Sequence, residues 1–275
     1  EITLPTGKDN DGNQRTAVCC LSSLNLDTYD EWSEDPQFVE DVMRFLDNVM
    51  NDFIERAPDE FAHAKYSAMR ERSVGLGVMG LHSYFQKKNI PFGSVMSKVW
   101  NKKVFKNIQE KVDAASKSLA EERGACPDAE EYGIKERFSN KTAIAPTASI
   151  SIICGGSSPG IEPIAANSYT HKTLSGSFNV RNKYLKKILS KYKKDTDDVW
   201  SSITTNQGSV SHLDFLTAEE KDTFKTAFEI DQRWIVELGA DRTPHISQAQ
   251  SINIFIPADI HKKDLHNLHF QAWKK

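Results

Sequence analysis

The sequence lacks most of the marks by which common enzyme classes announce themselves. There is no G-x-x-x-x-G-K-[ST] loop and no H-E-x-x-H pair, so P-loop nucleotide hydrolysis and zinc peptidase chemistry lose their usual signatures. No apolar run approaches the length needed to span a bilayer, and no charged-then-apolar leader opens the chain, so a soluble, cytoplasmic protein is expected, with no membrane partner. Basic residues are in slight deficit, 35 Lys and Arg against 38 Asp and Glu, which gives non-specific nucleic-acid binding little electrostatic support. A nucleotide fits that balance better than DNA. Cysteine is scarce, and Cys19, Cys20, Cys126 and Cys154 show none of the C-x-x-C spacing of a zinc site. Adjacent Cys19 and Cys20 cannot bridge each other without straining the peptide between them. Four buried thiols is the plain expectation for these residues, and redox work by one of them the sharper one. Internal repeats and low-complexity linkers are also absent.

What remains is a chain of 275 residues with long amphipathic segments, enough for a sizeable core. Asp35-Pro36 offers a helix start, followed at helical spacing by Phe38, Val42, Phe45, Leu46, Val49, Met50 and Phe53. A second helix is expected from about Ser97 to Arg123, with Val104, Ile108, Val112, Ala115 and Leu119 inward and Gly124 as its stop. Between Asn182 and Lys194 a lysine-rich helix turns Leu185, Ile188, Leu189 and Tyr192 inward. Thr217-Ala-Glu-Glu220 has capping-box spacing and predicts a helix carrying Phe224, Phe228, Ile230 and Trp234 towards Leu238. Strands are expected at Thr16 to Leu21, Ala143 to Ala145 and Ser251 to Ile256. Long helices separated by short strands imply an α/β sheet or barrel with its sites at strand ends.

Pro146-Thr-Ala-Ser-Ile-Ser-Ile-Ile-Cys-Gly-Gly-Ser-Ser-Pro-Gly-Ile-Glu-Pro163 stands out, because small hydroxyl residues and glycines replace bulky periodic ones. Such a loop between a strand and a helix N-terminus can hold a phosphate through hydroxyls and backbone N–H groups. Gly75-Leu-Gly-Val-Met-Gly80 matches the dinucleotide fingerprint, yet polar, helix-prone residues 64–72 precede it where the fingerprint needs a buried strand. Close packing of a helix on a neighbouring strand is the better reading of these glycines. Glu60-Phe-Ala-His63 is an E-x-x-H element, but a di-iron bundle needs two of them. His266 and His269 can share a helix face, without a carboxylate in register.

Several segments in the same order resemble the large, catalytic subunit of ribonucleotide reductase. They are Glu1-Ile-Thr-Leu-Pro5, Ala17-Val-Cys-Cys-Leu-Ser-Ser-Leu-Asn-Leu26, Arg72-Ser-Val-Gly-Leu-Gly-Val-Met-Gly-Leu81, Gly124-Ala-Cys-Pro127, Pro146-Thr-Ala-Ser-Ile-Ser151, Gly160-Ile-Glu-Pro163 and Gln248-Ala-Gln-Ser-Ile-Asn253. The resemblance implies an α/β fold, a partial ten-stranded α/β barrel of the ribonucleotide reductase and glycyl-radical type. Residues 1–275 would form roughly its second half, a C-terminal barrel portion truncated at both ends. The start at Glu1 without a methionine and the end at Trp273-Lys-Lys275 inside an amphipathic pattern agree with a piece of a longer chain.

The resemblance also implies roles. Glu1 matches the carboxylate that takes the proton of the substrate 3′-hydroxyl after a thiyl radical has removed the 3′-hydrogen; the radical cysteine would lie two residues upstream, outside the chain. Cys19 matches one of two thiols that reduce the 2′-position and end as a disulfide, its partner belonging to an N-terminal half. Cys20, one position along a strand, would face the other way. Thr147, Ala148, Ser149 and Ile150 match the loop that holds the substrate phosphates. Cys126 and Cys154 have no catalytic counterpart. No cofactor or metal is expected on this segment itself. The radical would come from a metal-containing small subunit, ATP and dNTP effectors would bind elsewhere in the full chain, and a thioredoxin- or glutaredoxin-type protein would act as reductant. A homodimer and a ribonucleoside diphosphate substrate complete the implied partners, with triphosphate left open. An adenosylcobalamin-dependent reductase, a NAD-dependent dehydrogenase built on Gly75 to Gly80 and a domain that keeps the fold without the chemistry are the alternatives.

Overall fold

A computed structural model describes residues 1–174 and 176–275, and they divide into two units. The first comprises Glu1–Met79, Lys102–Thr147 and Arg242–Ser251; the second comprises Gly80–Asn101, Ala148–Asp241 and Ile252–Lys275. In chain order the elements are β1 (Gly7–Lys8), β2 (Gln14–Arg15), β3 (Cys20–Asn25), α1 (Tyr29–Trp32), α2 (Phe38–Arg56), α3 (Ala62–Glu71) and β4 (Val74–Met79). They continue with α4 (Leu81–Lys87), α5 (Val95–Arg123), α6 (Pro127–Glu130), α7 (Ile150–Ile153), β5 (Ser168–Thr173), β6 (Gly176–Arg181) and α8 (Lys183–Lys191). The last four are α9 (Asp197–Thr205), α10 (Ala218–Thr223), α11 (Arg233–Arg242) and α12 (Lys262–Lys274).

The first unit is organised by a parallel array. β3 pairs with β4 in parallel, Cys20 opposite Val74 and Asn25 opposite Met79. Parallel bridges then join Leu76 to Thr142 and Ile144 to Gln250, so four segments lie side by side in the order in which the chain makes them. Parallel neighbours need a crossover, and α2 with α3 supplies the one between β3 and β4. The glycines of Gly75 to Gly80 belong to this array. Gly75 and Gly77 lie inside the wholly buried β4, and α3, a helix, precedes them. A β-carbon on Gly77 would stand 2.3 Å from the Ala143 carbonyl oxygen, so glycine is what lets two strands close up. The close approach is therefore strand to strand, not helix to strand as expected. The dinucleotide reading falls with it, since that turn must follow a strand and open a helix.

Helix periodicity reads well where one face alone is apolar. Val104, Ile108, Val112, Ala115 and Leu119 of α5 are all buried, and Gly124 takes the left-handed conformation (φ 88°) that ends the helix. α2 starts at Phe38 because Asp35 Oδ1 accepts the Gln37 N–H (2.8 Å) in a turn around Pro36. Its buried face is Val39, Met43, Leu46, Asp47 and Met50; Phe45, at 61% exposure, and Val49 turn outward, contrary to expectation. The strand expected at Thr16 to Leu21 begins later, at Cys20. Ala143 to Ala145 is reduced to bridges at Thr142 and Ile144, and Ser251 to Ile256 forms no ladder, the pairing falling on Gln250.

In the second unit, β5 and β6 form an antiparallel pair, and Leu185, Leu189, Trp200, Ile203 and Phe224 make a core. Asn182 caps α8 by accepting from the Tyr184 and Leu185 N–H groups, as its position before the lysine-rich run suggests. The Thr217 capping box is present, with both reciprocal bonds. The single helix expected from it is two, α10 and α11. The Ala227 N–H leaves the helical ladder for the Ile164 carbonyl (2.7 Å), and Glu229 and Asp231 accept from the Thr226 and Arg233 N–H groups, starting a new segment.

Candidate active site

Cys19 lies one residue before β3, on the side that faces Gly75. A β-carbon at Gly75 would come within 3.3 Å of the Cys19 sulfur and 2.3 Å of Leu21 Cδ2. Cys19 and Leu21 thus share one face, and the period of two turns Cys20 to the other. The half-buried sulfur has three polar contacts. Gln248 Nε2 donates to it at 3.3 Å, Ser73 Oγ donates at 3.9 Å, and the thiol itself points to the Cys20 carbonyl at 3.8 Å. Burial pushes the Cys19 thiol up; the Gln248 and Ser73 donors oppose this, and negative charge on Glu71 and Glu1 adds to it. Glu1 itself is exposed and tied down by its backbone, its carbonyl accepting the Ala249 N–H (3.0 Å). Gln248 Oε1 accepts the Thr3 N–H (3.2 Å), so the first residues of the chain and Cys19 hang from the same dipeptide, Gln248-Ala249.

Behind the thiol stands a buried ionic network. Arg15 grips Asp128 with both terminal nitrogens (2.6 and 2.9 Å) and reaches Glu71 Oε1 at 3.2 Å. Glu71 is 2% exposed and its other oxygen has no hydrogen-bond partner among the described residues. Burial pushes its carboxyl up to about 7, with Arg15 offsetting only part of the cost. Next to it, α3 ends at Arg72 in the left-handed conformation (φ 45°). This turns Arg72 onto fully buried Asp47, which also receives Arg137 Nε at 2.9 Å and Arg123 Nη1 at 2.8 Å. Burial alone would raise Asp47, but the guanidiniums, Arg137 and Arg72 foremost, hold it below the usual carboxylate range. Arg137 Nη1 in addition caps the Arg123 and Gly124 carbonyls at 3.0 Å, closing the C-terminal end of α5.

Of the residues put forward from the sequence, Glu1, Cys19 and Thr147 belong to the first unit and Ala148, Ser149 and Ile150 to the second. Thr147 is buried and has a left-handed backbone (φ 54°), a conformation that a β-branched residue adopts at a cost. Ala148, Ser149 and Ile150 are exposed, and Ser149 stands at the N-cap of the short helix α7 without making a side-chain cap bond. Within the second unit, Ala148 and Ser151 line a cavity of about 460 Å³ together with Ser157, Gln86, Asn167 and Asn182. The amides there form a chain: Asn182 Nδ2 donates to Gln86 Oε1 (2.9 Å) and Asn167 Oδ1 (2.8 Å), and Asn167 Nδ2 donates to the Gly208 and Phe224 carbonyls. His82 extends it through its Nε2, 3.4 Å from Gln86 Nε2, while its Nδ1 accepts the Ile164 N–H at 2.9 Å; complete burial pushes the imidazole down to about 3, so it is neutral.

Sequence reasoning missed Gln248, Ser73, Glu71 and Arg15; Gln248 stood only as the first letter of a matching segment. Gly156 to Gly160 spells G-x-S-x-G, but Ser158 is buried and its hydroxyl accepts the Ser83 N–H (3.1 Å), so it is no nucleophile elbow. All four cysteines are thiols, and Cys154 is exposed, contrary to the expectation of four buried ones. His266 and His269 do share α12, where His266 stacks on Phe270 and His269 meets the Leu265 carbonyl. Among the described residues no cluster of His, Cys, Asp and Glu is arranged to hold a metal, and no helix is long and apolar enough to cross a membrane.

The sequence model of the family "Ribonucleotide reductase, barrel domain" matches residues 1–136 and 127–275. The chain belongs to the ribonucleotide reductase barrel-domain family. It is 49% identical, over all of its length, to the ribonucleoside-diphosphate reductase large subunit of Invertebrate iridescent virus 6, covering 28% of that protein. The putative ribonucleoside-diphosphate reductase large subunit of Frog virus 3 is 43% identical over the whole chain, which covers 47% of it. Among solved structures, the Actinobacillus ureae class Id ribonucleotide reductase alpha subunit superposes with a TM-score of 0.90 at 40% identity, over all of this chain and 50% of that one. The barrel-domain chain thus spans half or less of the length of these relatives.

Proposed function

We propose that this chain is the C-terminal barrel portion of a ribonucleoside-diphosphate reductase large subunit, and that Cys19 is one of the two thiols that reduce the ribose 2′-position. The observation that carries the reading is the setting of Cys19: a half-buried thiol at a strand end, given room by Gly75 and two donors by Gln248 and Ser73. Four parallel segments in chain order support membership of a larger, ten-stranded barrel of which residues 1–275 supply roughly the second half. Relatives named as large subunits of the diphosphate enzyme favour a small-subunit-dependent radical over the cobalamin alternative.

The chemistry assigned to each residue balances. A thiyl radical from outside this chain takes the 3′-hydrogen, and Glu1 accepts the 3′-hydroxyl proton. The 2′-hydroxyl then leaves as water. Cys19 and a partner thiol of the N-terminal half together give up two protons and two electrons and become a disulfide. One proton leaves with the 2′-hydroxyl as water, and the other with the electron pair becomes the new hydrogen at the 2′-carbon. Glu1 returns its proton to the 3′-oxygen, and the 3′-hydrogen atom is given back. Thr147 and the exposed backbone of Ala148, Ser149 and Ile150 hold the substrate phosphates. A thioredoxin- or glutaredoxin-type protein restores the dithiol, and effector nucleotides bind elsewhere in a cytoplasmic homodimer.

In a large subunit carrying this sequence, supplied with its small subunit and a dithiol reductant, Cys19→Ser should lower deoxynucleotide formation at least about 10³-fold, whereas Cys20→Ser stays within about threefold. Deoxynucleotide formation by the Cys19→Ser enzyme at more than a tenth of the normal rate would overturn the reading. A chain that keeps the fold without the chemistry would yield no product even with Cys19 intact.

A further inference from the structure

The Gln248 side chain uses every polar group it has, and the use is directional. Its oxygen accepts the Thr3 N–H at 3.2 Å; its nitrogen donates to the Val74 carbonyl at 3.2 Å and to the Cys19 sulfur at 3.3 Å. An amide side chain can be turned over by half a rotation, exchanging donor and acceptor faces. Here neither exchange is tolerated. The Thr3 N–H is a donor and requires the oxygen, and the Val74 carbonyl is an acceptor and requires the nitrogen. The second amide hydrogen is left for one place only, the sulfur of Cys19, which lies 229 residues away in the chain.

We propose that Gln248 is a positioning residue for Cys19, an amide locked by Thr3 and Val74 that holds an N–H donor on the sulfur. An aimed donor favours the sulfur with its lone pairs exposed over the same sulfur carrying a proton. This is what a thiol needs in order to leave from, or attack, a disulfide at neutral pH. The charged groups that bear on Cys19 from elsewhere, Glu71 and Glu1, push the other way, as does burial itself. Gln248 is the closest donor that opposes them, since Ser73 stands 0.6 Å further off (3.9 against 3.3 Å). The same bond to Thr3 fixes the segment that begins with Glu1, so one side chain sets the sulfur and the opening segment of the chain together. The inference rests on the reading of Cys19 as a reducing thiol, but its test does not need that reading.

The test is the pH profile of iodoacetamide alkylation of Cys19 in the full chain, measured by peptide mass in a Cys20→Ala background with exposed Cys154 as internal reference. Gln248→Met keeps the length of the side chain and removes both donors; it should move the Cys19 midpoint up by about one pH unit, a roughly tenfold slower reaction at pH 7.5. Thr3→Pro leaves Gln248 in place and removes only the N–H that locks it, at an exposed residue; the Cys19 rate should fall by about threefold, one half-unit of pH. Cys154 should not move in either variant. Unchanged Cys19 profiles in both variants overturn the proposal, and if Gln248→Met does not fold, Thr3→Pro decides alone. Retained deoxynucleotide formation by Cys19→Ser, by contrast, would remove the catalytic reading and leave the alkylation result standing.

Discussion

The two units solve the problem of buried polarity in opposite ways. The first buries charge: Asp47 under three guanidiniums, and Glu71 and Asp128 against Arg15. The second buries neutral groups, with His82, Gln86, Asn167 and Asn182 in one chain of amides and imidazole; its buried carboxyl Glu162 is partnered by the Asn253 amide and pushed upward by burial. The difference matters because the two kinds of network fail differently. A missing amide leaves carbonyls short of one bond each, whereas a missing carboxylate strands cations out of reach of water. Cys19, proposed to change its redox state, sits in the unit that buries ion pairs.

The largest expected effect is therefore on Asp47. Asp47→Ala should cost about 3–5 kcal/mol, because Arg72 and Arg137 remain buried without their carboxylate. Asn167→Ala, in the other unit, should cost about 2 kcal/mol, because the Phe224 carbonyl loses its amide donor and Asn182 Nδ2 loses its Asn167 Oδ1 acceptor, while the Gly208 carbonyl keeps the residue-167 backbone N–H. Denaturant unfolding gives both numbers, and hydrogen exchange of α2 and of α8 shows where each is felt. Equal costs would erase the contrast.

Acid should separate the units next. His82 has a pKa lowered from the usual 6.5 to about 3 in the folded state, so below pH 6.5 the unfolded chain binds a proton that the folded chain refuses. Stability is then lost as pH falls, by about 2 kcal/mol at pH 5. Glu71 has the opposite sign. Its carboxyl is raised from 4.5 to about 7, the folded chain holds the proton more tightly, and stability is gained as pH falls from 7 towards 4.5. Hydrogen exchange at pH 5 against pH 7.5 should show α4, which carries His82, opening more readily and α3, which carries Glu71, less. Opening of both elements to the same degree would show that the two groups do not govern their units.

The smallest effect tests Glu71 alone. Glu71→Gln removes the charge that has one unpartnered oxygen and leaves Arg15 its two bonds to Asp128, so the chain should gain about 1 kcal/mol at pH 8 and nothing near pH 4. A loss at pH 8 would mean that Arg15 depends on Glu71 more than on Asp128.

Which parts of this were legible beforehand follows from distance along the chain. Signals confined to a few residues were read correctly: the α5 stripe with its Gly124 stop, the lysine-rich helix after Asn182 and the Thr217 box. The face of α2 was not, because the stripe of Phe45 and Val49 competes with the one that carries Asp47, and only partners 25, 76 and 90 residues away decide between them. The break between α10 and α11 was hidden because Thr226, Glu229 and Asp231 look like ordinary polar residues of a helix until one of them bonds the backbone. Cys19 was visible through the family resemblance, whereas nothing local marks Gln248 as its neighbour.

The end of α3 ties these observations to a single stretch of backbone. Three consecutive side chains there serve three separate duties: Glu71 meets Arg15, Arg72 meets Asp47, and Ser73 meets Cys19. The left-handed turn at Arg72 is what distributes them. This short stretch has no tolerance for a change of length. One residue added or removed would rotate all three duties out of register at once, so a variant of this domain that lengthens its α3–β4 junction should lose its ionic cluster and the setting of its thiol in the same step.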